Sequence, residues 1–159
     1  MMDASWERVA PDFEPDGSLR DIYVQNATLA DWEATFQLIR RDYAPATYTR
    51  DGEPAALPAS AAEALAERHT ATVALDFDVA GVEMACHFFS PKEIEFDLPP
   101  EQVNSRERFA AVQGFLRALA TTLGKSVVLS PESMPHLPIL SVDSAGLVSY
   151  HPPSDAPAT

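Results

Sequence analysis

Between Val73 and Leu98 the chain alternates apolar and polar residues in three successive runs, and no other segment restricts the possible folds as far. Val73, Leu75, Phe77 and Val79 alternate with Ala74, Asp76 and Asp78, and Val82, Met84, Cys86 and Phe88 alternate with Glu83, Ala85 and His87. A period of two puts each set on its own face of a strand. With Ala80-Gly81 as a two-residue turn, Val79 faces Val82, Phe77 faces Met84, Leu75 faces Cys86 and Val73 faces Phe88. A slip of one residue would send the apolar sets to opposite faces, so the register is strongly specified. Ile94, Phe96 and Leu98, set against Glu93, Glu95 and Asp97, add a third strand of the same kind.

A meander with one apolar face needs a cover, and the strongest helical signal follows it. Phe109, Val112, Leu116, Leu119 and Leu123 step by three and four residues, with Asn104 or Ser105 as cap and Gly124 as stop. Thr28 and Asp31 form a capping box ahead of Leu29, Trp32, Phe36 and Ile39, which predicts a helix over 29–42. Ser60 and Glu63 repeat that pattern before a short Ala-rich helix over 61–69. The turn signal Pro15-Asp16-Gly17-Ser18, between Val9 and Phe13 on one side and Leu19, Ile22 and Val24 on the other, predicts a β-hairpin over 8–24. A short strand is expected over 46–50, a loop over 51–58, and strands at 127–129, 139–142 and 147–150. The expected class is α+β, a mainly antiparallel sheet with helices packed on one face. Residues 1–151 are expected to form one domain and 152–159 a flexible polar tail.

Charge bears on function more than on fold. The chain has 159 residues, and 24 Asp and Glu against 11 Lys and Arg give a formal net charge of -13. Such a surface repels phosphate, so nucleic acid is not an expected partner. No run approaches the roughly 20 apolar residues of a membrane helix. Asp3, Glu7 and Arg8 interrupt the stretch where an export leader would be apolar, and Cys86 is the single cysteine, so a reducing cytoplasm is the expected setting.

The meander register predicts that Asp76, Asp78 and Glu83 lie on the face opposite the core, with Glu93, Glu95 and Asp97 on the polar face of the third strand. Six carboxylates on one side form a docking surface for a basic protein partner, or simply a solvated face. Asp78 opposite Glu83 is a like-charge pair that costs stability. A metal site is not expected, because Asp76-x-Asp78 lacks the glycine and the distal Glu of a calcium loop. No cofactor is expected either. His69, His87, His136 and His151 show no paired spacing, and His87 beside Asp76 is the arrangement to examine for a general base. Gly124-Lys125-Ser126 ends like a phosphate-binding loop, but position 119 is Leu119 and the residues close a helix instead of opening one. Cys86 belongs to the buried face, where a thiol is not activated. Asn26-Ala27-Thr28 matches a glycosylation sequon, but Thr28 is already explained as a cap. Ser130 to Pro138 holds three prolines that stiffen a loop presenting Met134, His136 and Leu137, or else form a plain connection with Leu137 packed inward.

The run from Phe13 to Val24, followed by Asp31-Trp32, resembles the opening of small uncharacterised acidic bacterial proteins. In size, acidity and lack of a leader the chain is similar to cytoplasmic immunity proteins, which occlude basic toxin domains. That similarity implies a non-catalytic protein-binding domain. The alternative is an enzyme or small-ligand binder whose pocket lies between helices and sheet, lined by Trp32, Tyr23, Tyr48 and His87. A self-associating structural subunit is the third reading.

Overall fold

The alternating centre folds as read, and the rest of the sheet is assembled around it. The computed structural model describes residues 4–153. Within them the chain runs α1 (Trp6–Val9), a 3-10 turn (Ala10–Phe13), β1 (Arg20–Gln25), α2 (Leu29–Asp42), β2 (Thr47–Arg50), β3 (Glu53–Ala55) and α3 (Ala61–Glu67). It continues through β4 (Val73–Val79), β5 (Val82–Ser90), β6 (Glu93–Leu98), a 3-10 turn (Pro100–Gln102), α4 (Arg106–Leu123), β7 (Val127–Pro131), β8 (Leu140–Val142) and β9 (Val148–Tyr150). Among the described residues the nine strands make one sheet, ordered β3-β2-β4-β5-β6-β1-β7-β8-β9, with every neighbouring pair antiparallel. The fold is α+β, and no helix among the described residues is long and apolar enough to cross a membrane.

The β4–β5 ladder has the expected register, with Val79 on Val82, Phe77 on Met84 and Leu75 on Cys86. It closes at Ala74 on His87, so the expected Val73–Phe88 pair lies just beyond it. Ala80 and Gly81 have φ of 52° and 94°, the two positive values that a type I′ turn requires. Gly81 is doubly constrained, because a Cβ there would sit 2.7 Å from Arg108 Nη2.

The helices pack on the apolar face of the sheet. In α4, Phe115 meets Phe96 edge-on with ring centroids 5.3 Å apart, and it also contacts Phe77 and Tyr43. Aromatic pairs of this kind contribute about 0.5–1.5 kcal/mol each beyond their buried area. In α2, Trp32 stacks on Phe88 at 5.0 Å and its indole N–H donates to the Pro91 carbonyl. Tyr48, from β2, also packs on Phe88 and donates its hydroxyl to Glu67 of α3. The caps are those expected: Thr28 and Asp31 form a complete capping box, Ser60 and Ser105 accept from Glu63 and Arg108 backbone N–H groups, and Gly124 is left-handed at φ 65°.

Residues 8–24 do not form the expected hairpin. Val9 and Phe13 lie four apart, which is helical spacing, and α1 with the following 3-10 turn buries both. Trp6, Phe13 and Phe109 form an aromatic triad with centroids 5.8–6.4 Å apart that ties this segment to α4. The Pro15–Ser18 turn is present, with Asp16 accepting from the Ser18 N–H and hydroxyl, but it leads only into β1. β1 then pairs with β6 and β7, whose partner residues lie about 70 and about 110 positions further along the chain, which no local signal announces. Arg20, pointing to the opposite side from Asp21, fixes the turn by donating to the carbonyls of Asp12, Glu14 and Leu19.

The expected loop over 51–58 contains β3. Asp51-Gly52, with φ of 52° and 84°, is a second type I′ turn that folds β3 back on β2. Both edges of the sheet are three-residue strands: β3 carries Pro54, and Pro152 and Pro153 follow β9. Of the expected polar tail, residues 154–159 lie outside the described residues.

Candidate functional site

The outward face of the sheet carries none of the four α-helices and is built in two adjacent rows. One row runs Thr47, Asp76, Ala85, Asp97, Asp21 and Ser130, and the next runs Thr49, Ala74, His87, Glu95, Tyr23 and Val128. Asp78 and Glu83 extend the surface at one end, Gln25 and Glu93 at the other. All six carboxylates expected on a polar face are therefore on this one. None of the outward strand positions among the described residues is Lys or Arg, and His87 is the basic group there.

The six fall into two groups. Asp76, Asp78, Glu83 and Asp97 line a shallow concavity of about 550 Å³, rimmed by Leu19, Pro45 and Pro99. Glu93 and Glu95 lie on the opposite side of Asp97 along β6, opposite Gln25 and Tyr23 of β1. Asp78 and Glu83 are register partners, and each has its own donor: Asp78 accepts from the Gly81 N–H at 2.7 Å, and Glu83 accepts from the Gln102 side-chain amide at 2.8 Å. The like-charge cost is thus offset by hydrogen bonds that hold the two carboxylates separately.

Burial and mutual repulsion set the electrostatics. His87 Nε2 donates to Asp97 Oδ2 at 2.6 Å, a direction fixed by a carboxylate that only accepts. Burial alone would lower the imidazole pKa, but the Asp97 hydrogen bond, with Asp97, Glu95 and Asp76 as nearby anions, raises it above its ordinary value. Glu95 is pushed up to about 7 by burial and by Asp21, against which the attraction of His87 is insufficient. Asp76 is raised by burial and by Asp97 and Glu83, with His87 opposing. His87 is thus paired with Asp97, the nearest carboxylate, and feels Asp76 from the neighbouring row.

Two residues of this face were not singled out by sequence reasoning. Asp21, placed in the hairpin that does not form, is buried and raised in pKa by burial; its Oδ2 accepts from the Ser133 N–H at 2.7 Å and the Tyr23 hydroxyl at 2.9 Å. The alternation of Asp21, Tyr23 and Gln25 with Ile22 and Val24 is the signal that carries it. Phe89 is exposed and stacks on His87, centroids 4.9 Å apart and rings 2° from parallel. Its signal is Phe88-Phe89 itself, since two consecutive apolar residues of a strand cannot share the buried face.

The other candidates resolve individually. Trp32 and Tyr48 are in the core layer while Tyr23 and His87 are on the outward face, so the four do not line one pocket, and the gap enclosed by Trp32, Phe36, Leu75 and Phe88 has no room for a water. Cys86 is buried and burial pushes its thiol pKa up, away from nucleophilic use. Lys125 pairs with Asp31 and donates to the Asn26 carbonyl at 2.7 Å, joining the end of α4 to the start of α2. The 131–138 loop is anchored by Glu132, which accepts from the Leu19 N–H, and by Ser133; Met134, His136 and Leu137 are exposed, so Leu137 does not pack inward. Among the described residues no three His, Cys, Asp or Glu side chains are grouped to hold a metal ion. Comparisons with protein families, with curated proteins and with solved structures found no match.

Proposed function

We propose that the outward sheet face docks a basic protein partner, and that the chain acts without catalysis as an immunity protein or a related inhibitor. The observation that carries this reading is one face holding Asp76, Asp78, Glu83, Glu93, Glu95 and Asp97, with no Lys or Arg at its outward strand positions. Burial and, after it, neighbouring carboxylates raise the pKa of Asp76 and Glu95, and an arriving cationic surface relieves the part that is mutual repulsion. Long-range attraction of this kind speeds encounter and weakens as salt screens it over about 8–10 Å.

The test is affinity capture from a lysate of the source organism at low and high salt, using wild type, the pair Glu93→Lys with Glu95→Lys, and the pair Asp76→Lys with Asp78→Lys. A basic protein retained by wild type at low salt and lost by one reversal pair, with circular dichroism unchanged, supports docking and says which half of the face is used. Retention of the same protein by both reversal variants sinks the assignment.

A further inference from the structure

Phe89 is the most exposed large apolar side chain among the described residues, at 59 %. A single exposed apolar residue is ordinary on a protein surface, but the setting of this one is not random. The β5–β6 ladder shifts register between His87 and Ser90, and such irregularities re-aim side chains. Strand alternation puts Phe89 on the outward face two residues from His87, with one side of its ring against the parallel imidazole. On the neighbouring strand, Glu95 is the register partner of His87 and Glu93 that of Ser90, so these two glutamates are the β6 positions paired on either side of Phe89.

We propose that Phe89, backed by His87 and flanked by Glu93 and Glu95, is an arginine platform, so that the partner docks through an arginine-bearing segment. This rests on the docking reading above and specifies its chemistry. A guanidinium is planar and weakly hydrated, so it stacks on a ring face while its edge pairs with a carboxylate in a two-pronged hydrogen bond. A lysine ammonium carries the same charge but is a strongly hydrated point that fits this arrangement less well. The chain already uses the geometry elsewhere, with the Arg40 guanidinium 5.6 Å from the centroid of Phe36. Phe89 itself lines a cleft of about 380 Å³ together with Arg68, His69, Thr72 and Phe88. Arg68 disfavours a second guanidinium within that cleft, which leaves the β6 side, with Glu93 and Glu95, as the side for an incoming arginine.

The experiment titrates nona-arginine and nona-lysine peptides into the full chain at low and high salt, followed by NMR shifts of Phe89, His87 and Glu95. Wild type is compared with Phe89→Leu, Phe89→Tyr and the Glu93→Lys, Glu95→Lys pair. The expected result is about a two- to fivefold preference for the arginine peptide, kept in Phe89→Tyr and lost in Phe89→Leu, whose residual binding stays salt-sensitive. Equal affinities in wild type, or a preference that survives Phe89→Leu, overturn the platform; if the reversal pair still weakens both peptides, the acidic docking surface stands. Binding of neither peptide at low salt overturns both.

Discussion

His87 donates to Asp97 at 2.6 Å while facing Glu95 across the ladder, so one imidazole on β5 is set against two carboxylates two residues apart on β6. The Asp97 bond is the chief influence raising the imidazole pKa against its own burial. Asp97→Asn is therefore expected to lower the His87 titration midpoint, and Glu95→Gln to lower it less, both read from histidine ring shifts by NMR. An unchanged midpoint in Asp97→Asn would mean that the bond is not what holds the proton.

Stability and partner binding are expected to respond oppositely to pH across neutrality. Glu95, at about 7, lies above its ordinary value of 4.5, and His87 is raised as well. A group with a raised folded-state pKa contributes stability below its unfolded pKa and loses it as pH rises through the folded one. Acidification from pH 8 toward 5.5 should therefore raise the melting temperature through these two groups, while adding positive charge to the face and weakening a cationic partner. Glu95→Gln should be more stable than wild type at pH 8, with a flatter slope of melting temperature against pH. A steeper slope in that variant would show that Glu95 does not take up its proton on folding in this range.

The type I′ turn between β4 and β5 has alanine where the backbone is left-handed, φ 52° at Ala80. Ala80→Asn, which places Asn-Gly in that turn, is expected to add about 0.5–1 kcal/mol. Gly81→Ala should cost about 1–2 kcal/mol, because φ is 94° and Arg108 occupies the space of the new methyl. Urea midpoints measure both, and a neutral Gly81→Ala would place this turn in another conformation.

At the other end of the sheet, Asp31 serves two elements, capping α2 and pairing with Lys125. Asp31→Ala should cost about 2–3 kcal/mol and Asp31→Asn about half that, since the amide oxygen keeps the cap. Lys125→Met should cost about 1 kcal/mol, and the Lys125→Met, Asp31→Ala double variant less than the sum of its parts. Strict additivity in that cycle would dissolve the pair.

What the sequence disclosed follows the range of the interactions. The β4–β5 register, the caps at Thr28, Ser60 and Ser105 and the stop at Gly124 depend on residues within a turn or a hairpin of one another, and all are present. The α1 segment departs from the expected hairpin because Val9 and Phe13, spaced for a helix, stand beside a strong turn signal. The seating of β1 between β6 and β7 depends on pairings such as Tyr23 with Glu95 and with Val128, and alternation says which face a residue takes but never which strand lies alongside. Hence the six acidic positions were legible as outward, and so was the alternation of Asp21 with Ile22, but not that Asp21 would lie beside Asp97. The outward place of Phe89 was legible in the Phe88-Phe89 pair, whereas the register shift beside it, which sets its neighbours on β6, is a feature of three-dimensional pairing that leaves no mark in the hydrophobic pattern.

A β-sheet nine strands wide would normally invite further chains onto its borders, since unpaired backbone groups template more strands. Here the outermost strands offer three residues each, one interrupted by Pro54 and the other halted by Pro152 and Pro153. Growth by strand addition is blunted at both ends, which steers a second molecule to a broadside approach. A second copy of the chain therefore finds no long unpaired strand border at either end to extend.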